Sequence, residues 1–122
     1  MVNNYKSWLE KLGRYWVDLN PKNASELFSK DVIYYESALK EPLADWNAVS
    51  DLWKIIPSNQ KNVSFDFEII SITQNLCVAN WQVKRTMLPQ NVKQNINGIF
   101  VFKLNEDGLC YYFKQWRAVE DF

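Results

Sequence analysis

WNAVSDLWKIIPSNQKNVSFDFEIISIT, residues 46–73, changes its hydrophobic period near Asn62. Before that point Trp46, Val49, Leu52, Trp53 and Ile56 recur at the spacing of one helical face. Asp45 is suited to cap this helix and Pro57 is expected to stop it. After that point the pattern alternates. Val63, Phe65, Phe67 and Ile69 fall on odd positions, whereas Ile70 and Ile72 fall on even ones. Alternation with a slip of one residue predicts a strand carrying a β-bulge near Ile69, which would bend a sheet.

Working outward, the downstream chain keeps the alternating period. Gln74-Asn75 separates residues 63–73 from a second run, 76–87. A turn at 89–91 leads into 92–104, and Asn105 to Gly108 supply the turn into 109–119. Upstream, Tyr5, Trp8, Leu9, Leu12, Tyr15, Trp16 and Leu19 describe an amphipathic helix, with Asn3 or Asn4 as its cap and a Glu10–Arg14 pair across one turn. Asn20-Pro21 opens a short second helix with Ala24, Leu27 and Phe28 inward, and residues 32–36 read as a short strand. Helices first and a long meander afterwards predict one α+β domain over residues 1–122: three N-terminal helices packed on a strongly curved, mainly antiparallel sheet. Helices on the concave side of such a sheet would leave a cone-shaped central cavity, the natural place for a ligand.

Composition narrows the function classes. Lys plus Arg number 14 and Asp plus Glu number 14, so the chain is neutral overall and offers no basic block for nucleic acid. No apolar run is long enough to span a membrane, and the N-terminus lacks the regions of a signal peptide, so a cytoplasmic location is expected. There is no histidine. That removes imidazole bases, Ser-His and Cys-His pairs and the usual zinc sites. With no clustered carboxylates either, no metal and no cofactor is expected. Cys77 and Cys110 fall in strands without C-x-x-C spacing and read as free, buried thiols.

The candidate site residues follow from strand phase. Cys77, Ala79, Trp81, Val83, Arg85 and Met87 share a face that is apolar except for Arg85. That guanidinium either snorkels to water at the strand end or lines the cavity mouth and meets a carboxylate, a ring or a ligand anion. Glu36 follows Tyr34 and Tyr35 at the end of an apolar strand. It is the best general acid or base on offer, and could equally pair with Arg85 or cap the next loop. Asn97 and Gln115 lie on neighbouring strands and suit hydrogen bonding better than proton transfer.

These residues resemble a known family. The order helix, helix, strand, helix, four-stranded meander is similar to the nuclear transport factor 2-like superfamily, in its SnoaL-like branch, over nearly the whole chain. The segments that carry the resemblance are WVDLNPKNASELF (16–28), DVIYYESALKEPLADWNAVSDLW (31–53), NGIFVF (97–102) and GLCYYFKQW (108–116). Leu27, Phe28, Asp31 and Tyr34 match an LF-x-x-D-x-x-Y pattern, and Tyr34, Glu36, Glu41, Pro42 and Trp53 match the loop and helix that follow it. The chain departs from the family at Ala38-Leu39, where relatives read P-F, and at Asp45, where they carry glycine. Asn97 and Gln115 stand where relatives often carry acids. The Asp-Asp, Asp-Arg-Asp and His-containing sets of ketosteroid isomerases, epoxide hydrolases and scytalone dehydratase are not evident.

The resemblance implies the cystatin-like cone and a homodimer through the outer face of the sheet. Its expected lining is Tyr15, Trp16, Tyr35, Trp53, Trp81, Phe100 and Trp116, with Glu36, Arg85, Asn97 and Gln115 orienting the ligand. The expected function is binding of a small hydrophobic or aromatic ligand. The alternatives are an isomerase, cyclase or hydrolase using Glu36 as acid or base, and a dimeric interaction module whose cone is filled by its own side chains. No complete catalytic constellation is visible.

Overall fold

A computed structural model describes residues 2–122, with the side chains at 2, 3 and 56–58 outside that description. In chain order, α1 spans Val2–Val17, α2 Pro21–Ser25, β1 Phe28–Tyr35, α3 Trp46–Ser58, β2 Gln60–Thr73, β3 Leu76–Met87, β4 Val92–Leu104 and β5 Cys110–Asp121. The strands form one sheet in the order β1-β5-β4-β3-β2. β1 runs parallel to β5 and the remaining pairs are antiparallel. This is the expected α+β architecture.

Several boundaries differ from the sequence reading. α1 already includes residue 4, so Asn4 lies inside the helix, and the Asn3 side chain lies outside the described residues. β1 begins at Phe28, four residues before the expected strand, because the phase of Phe28, Val32 and Tyr34 continues the buried face back to the end of α2. α2 is accordingly a single turn, with Asn20 accepting from the Asn23 N–H at 3.3 Å. α3 runs through Pro57 rather than ending before it. Ile56, expected to face inward, is outside the described side chains. Among the described residues the ion pair formed is Lys54–Asp51, at 3.7 Å, and not Glu10–Arg14.

The bulge near Ile69 is present. Ile69 pairs with Ala79 and Ser71 with Val78, so Ile70 is the extra residue and turns its side chain to solvent. A second irregularity lies at the period change itself. Lys61 pairs with Thr86 and Ser64 with Lys84, which sets Asn62 and Val63 together against Arg85. Asn62 takes φ +53 there, a left-handed conformation that Asn tolerates better than most side chains. The Gln74-Asn75 turn has positive φ at both residues, as a two-residue hairpin loop requires.

The core lies between the helices and the concave side of the sheet. Leu9 and Leu12 of α1, Val49 and Trp53 of α3 and Ala79, Trp81, Phe100, Phe102 and Phe113 of the strands are buried there. Trp81 stacks on Phe100 at 4.8 Å, Tyr34 on Phe113 at 4.7 Å and Trp8 on Phe102 at 4.7 Å. Two glycines permit this density. A Cβ at Gly13 would lie 2.3 Å from the Phe65 ring, and one at Gly98 would lie 2.6 Å from the Trp81 indole. No helix among the described residues is long and apolar enough to cross a membrane.

Candidate functional site

The central cavity is small. Trp16 meets Trp53 edge to face at 5.6 Å and Trp81 at 5.7 Å, and Phe100 meets Phe113 at 4.8 Å. These rings fill most of the cone and leave about 30 Å³, room for roughly one water. Trp16, Tyr34, Trp53, Arg85, Phe100, Phe113, Gln115 and Arg117 line that chamber.

Strand parity decides who reaches it. On β5, Phe113, Gln115 and Arg117 face the concave side opposite Phe102, Phe100 and Gly98 of β4. Trp116 therefore points to the outer face and is 43% exposed. Tyr34 takes the inward place beside Phe113, so Tyr35 lies outside, with the Lys114 ammonium 4.7 Å from its ring centre. Asn97 pairs across from Gln82 and Ala118 on the outer face, where its Oδ1 accepts from Asn80 at 2.9 Å. Asn97 and Gln115 are thus on opposite faces of the sheet. Tyr15 lines a different surface cleft, beside Lys11, Asn23 and Glu26. Of the eleven residues put forward from the sequence, Trp16, Trp53, Arg85, Phe100 and Gln115 line the chamber. Trp81 packs behind it against Phe100 and Trp16.

Arg85 is held by neutral partners. Its Nη1 donates to Gln60 Oε1 at 3.0 Å and its Nε to Gln94 Oε1 at 3.2 Å. Gln94 in turn donates to Asp121 Oδ1 at 2.8 Å. Burial lowers the Arg85 pKa from its ordinary value, and the nearby Arg117 charge lowers it further. Among the described residues neither guanidinium forms an ion pair.

The chamber is also rich in donors. The indole N–H of Trp16 is buried without a hydrogen-bond acceptor, and that of Trp53 acts on the Tyr34 hydroxyl without reaching full hydrogen-bond geometry. An unpaired buried donor of this kind costs about 1–3 kcal/mol. Burial, and next the Glu36 charge, raises the pKa of the Tyr34 phenol, with the Trp53 N–H opposing them. Tyr34 is therefore a neutral hydroxyl at physiological pH.

Next to the chamber is a surface vestibule of about 330 Å³ lined by Glu36, Ser37, Ala38, Leu39, Lys40, Gln115, Trp116 and Arg117. It opens where β1 ends and the chain peels away from β5. Gln115 Nε2 donates to the Glu36 carbonyl at 2.8 Å and anchors that departure. Gln115 and Arg117 line both the vestibule and the chamber. Glu36 reaches the vestibule but not the chamber, and its carboxylate has no hydrogen-bond partner among the described residues.

Sequence reasoning missed Tyr34, Phe113, Arg117 and the two glutamines on Arg85. Parity would have found Arg117, which shares the phase of Phe113 and Gln115. Gln60 fell outside the expected strand, and nothing in its neighbourhood marks it. Among the described residues no group of three or more His, Cys, Asp or Glu is placed to hold a metal ion.

No protein-family model matches the chain, and no curated protein matches it by sequence. Solved structures match it by shape. An epoxide hydrolase/cyclase-like enzyme with a role in pyran ring formation in the polyether salinomycin is 14% identical, with a TM-score of 0.83 over 96% of this chain and 95% of that one. A candidate isomerase from Bacillus subtilis is 16% identical, with a TM-score of 0.85 over 96% and 88% of the two chains. A computationally designed 17-OHP binder is 14% identical, with a TM-score of 0.73 over 93% and 94%. At these identities the likeness establishes the fold, which is the nuclear transport factor 2-like fold.

Proposed function

We propose that this chain is a small-molecule-binding module. A small apolar or aromatic ligand would occupy the vestibule and present a polar end to the chamber. One observation carries this reading: Trp16, whose buried indole N–H has no acceptor among the described residues, lines the chamber together with Gln115 and Arg117, which also line the vestibule. The fold itself hosts enzymes and a designed binder alike, so it favours neither outcome. A proton-transfer role for Glu36 finds less support, because that carboxylate lines the vestibule and not the chamber, and makes no hydrogen bond or ion pair among the described residues.

The test is native mass spectrometry of the purified protein, followed by titration with small aromatic fragments read by tryptophan fluorescence. A co-purifying small molecule, or saturable quenching that is reduced in Gln115→Leu, is the expected result. No bound species and no saturable change with any fragment would remove the reading.

A second reading is favoured by the packing of the cone. Rings that leave only about 30 Å³ suit an interaction module, with the outer sheet face as its surface. Ile99, Val101 and the exposed Trp116 share that face with Tyr112 and Tyr35. A second copy of this chain is the partner proposed.

A further inference from the structure

We infer that the ligand of the chamber is an organic carboxylate, its two oxygens received by Arg85 and Arg117; this rests on the binding reading above. Donors crowd the chamber. Arg85 lines the cavity, and its bonds to Gln60 and Gln94 use two of its five N–H groups. Arg117 lines the same cavity and makes no hydrogen bond or ion pair among the described residues. Trp16 adds a buried indole donor without an acceptor, and the Trp53 N–H has only the poorly placed Tyr34 hydroxyl. Against these stand the Tyr34 hydroxyl and the Gln115 amide oxygen. A group that brings acceptors and negative charge answers this whole set; a neutral apolar group answers none of it.

The partners of Arg85 point the same way. Two amide oxygens position a guanidinium without neutralising it, so the charge stays available. A second guanidinium on the same small cavity adds repulsion that an anion between them would convert to attraction. The Asn62–Val63 bulge lies directly opposite Arg85, and bulges of this kind re-aim the side chain they face. The planar fork of arginine matches a carboxylate in two parallel bonds. The remaining charges at the mouth are Glu36 and Lys40, which offset one another and leave the guanidinium pair to set the sign. With about 30 Å³ inside and about 330 Å³ outside, the head group enters and the body stays in the vestibule beside Leu39 and Trp116. Leu39 is 97% exposed, an apolar side chain left bare at the opening.

Matched pairs of aryl carboxylates and their primary amides test this by tryptophan fluorescence and calorimetry on the whole chain. The carboxylate is expected to bind at least ten-fold more tightly than its amide. Arg117→Gln should bring the acid-to-amide affinity ratio close to one, mainly by weakening the acid, and Arg117 is exposed enough for the variant to fold. Arg85→Lys, which keeps charge but removes the fork, should weaken the carboxylate as well, with circular dichroism confirming the fold. Equal affinity for acid and amide would overturn the carboxylate while sparing the binding reading. Binding of inorganic phosphate in preference to every carboxylate would overturn it too, reassigning the site to a phosphate. If no member of either series binds, both readings fall together.

Discussion

At the scale of the residue, single positions carry more than their size suggests. Gly98 has Trp81 lying across it, so a methyl group there would meet the indole at 2.6 Å and the Trp116 carbonyl oxygen at 2.5 Å. Neither neighbour can retreat, one being packed against Phe100 and the other backbone. Gly98→Ala should therefore lower the unfolding free energy by about 1–3 kcal/mol, measured by urea denaturation. The thiols make a second case. Burial raises Cys77 from its ordinary 9.0 to about 11, and raises Cys110 as well. Below pH 9 both folded and unfolded chains hold these protons and stability is unaffected. From about pH 9 to about 11 the unfolded chain ionises while the folded one cannot, so stability should fall as pH rises through that window. At neutral pH neither thiol should react with a disulfide reagent until the protein is unfolded. Both cysteines were legible as buried from their strand positions. The use of Gly98 was not, because it depends on a ring from the neighbouring strand.

At the scale of the element, β2 shows how a local pattern becomes geometry. The parity change at Ile69–Ile70 was readable because hydrophobic alternation is a one-dimensional record of which face is covered. The structure turns it into an extra residue, with Ile69 packed on the core and Ile70 exposed. Adjacent isoleucines should then differ sharply on substitution. Ile70→Lys is expected to change stability by less than about 0.5 kcal/mol. Ile69→Lys, which puts a charge against the core, should cost more than about 2 kcal/mol, both read from thermal or urea unfolding. The second bulge, at Asn62, left only the period change itself as a trace, since no apolar residue is displaced by it. Its consequence, the presentation of Arg85, exists only once β2 and β3 pair. Ser29, Lys30 and Asp31 interrupt the apolar pattern and so suggest helix end and loop; the strand begins there because Phe28 pairs with Cys110 of β5, with an irregularity in register before Ile33.

At the scale of the molecule, the sheet has two apolar faces. The concave one is covered by the helices. The outer one carries Ile99, Val101, Tyr112 and Trp116 together with Lys103 and Lys114. If a second copy covers it, sedimentation equilibrium will give a dimer. Trp116→Glu should then weaken association by about 2 kcal/mol or more, some thirty-fold in Kd, without loss of fold. A monomer at high concentration would remove the proposed partner. The sequence by itself determined the element order, the curved α+β architecture and the bend in β2, since period and turn chemistry act along the chain. Only the tertiary structure decided which apolar face became the cone, how nearly its rings close it, and that two glutamines, not a carboxylate, hold Arg85. Where both faces of a strand are apolar, alternation separates them but cannot say which is enclosed. The volume left inside depends on side chains that meet from elements far apart in the sequence.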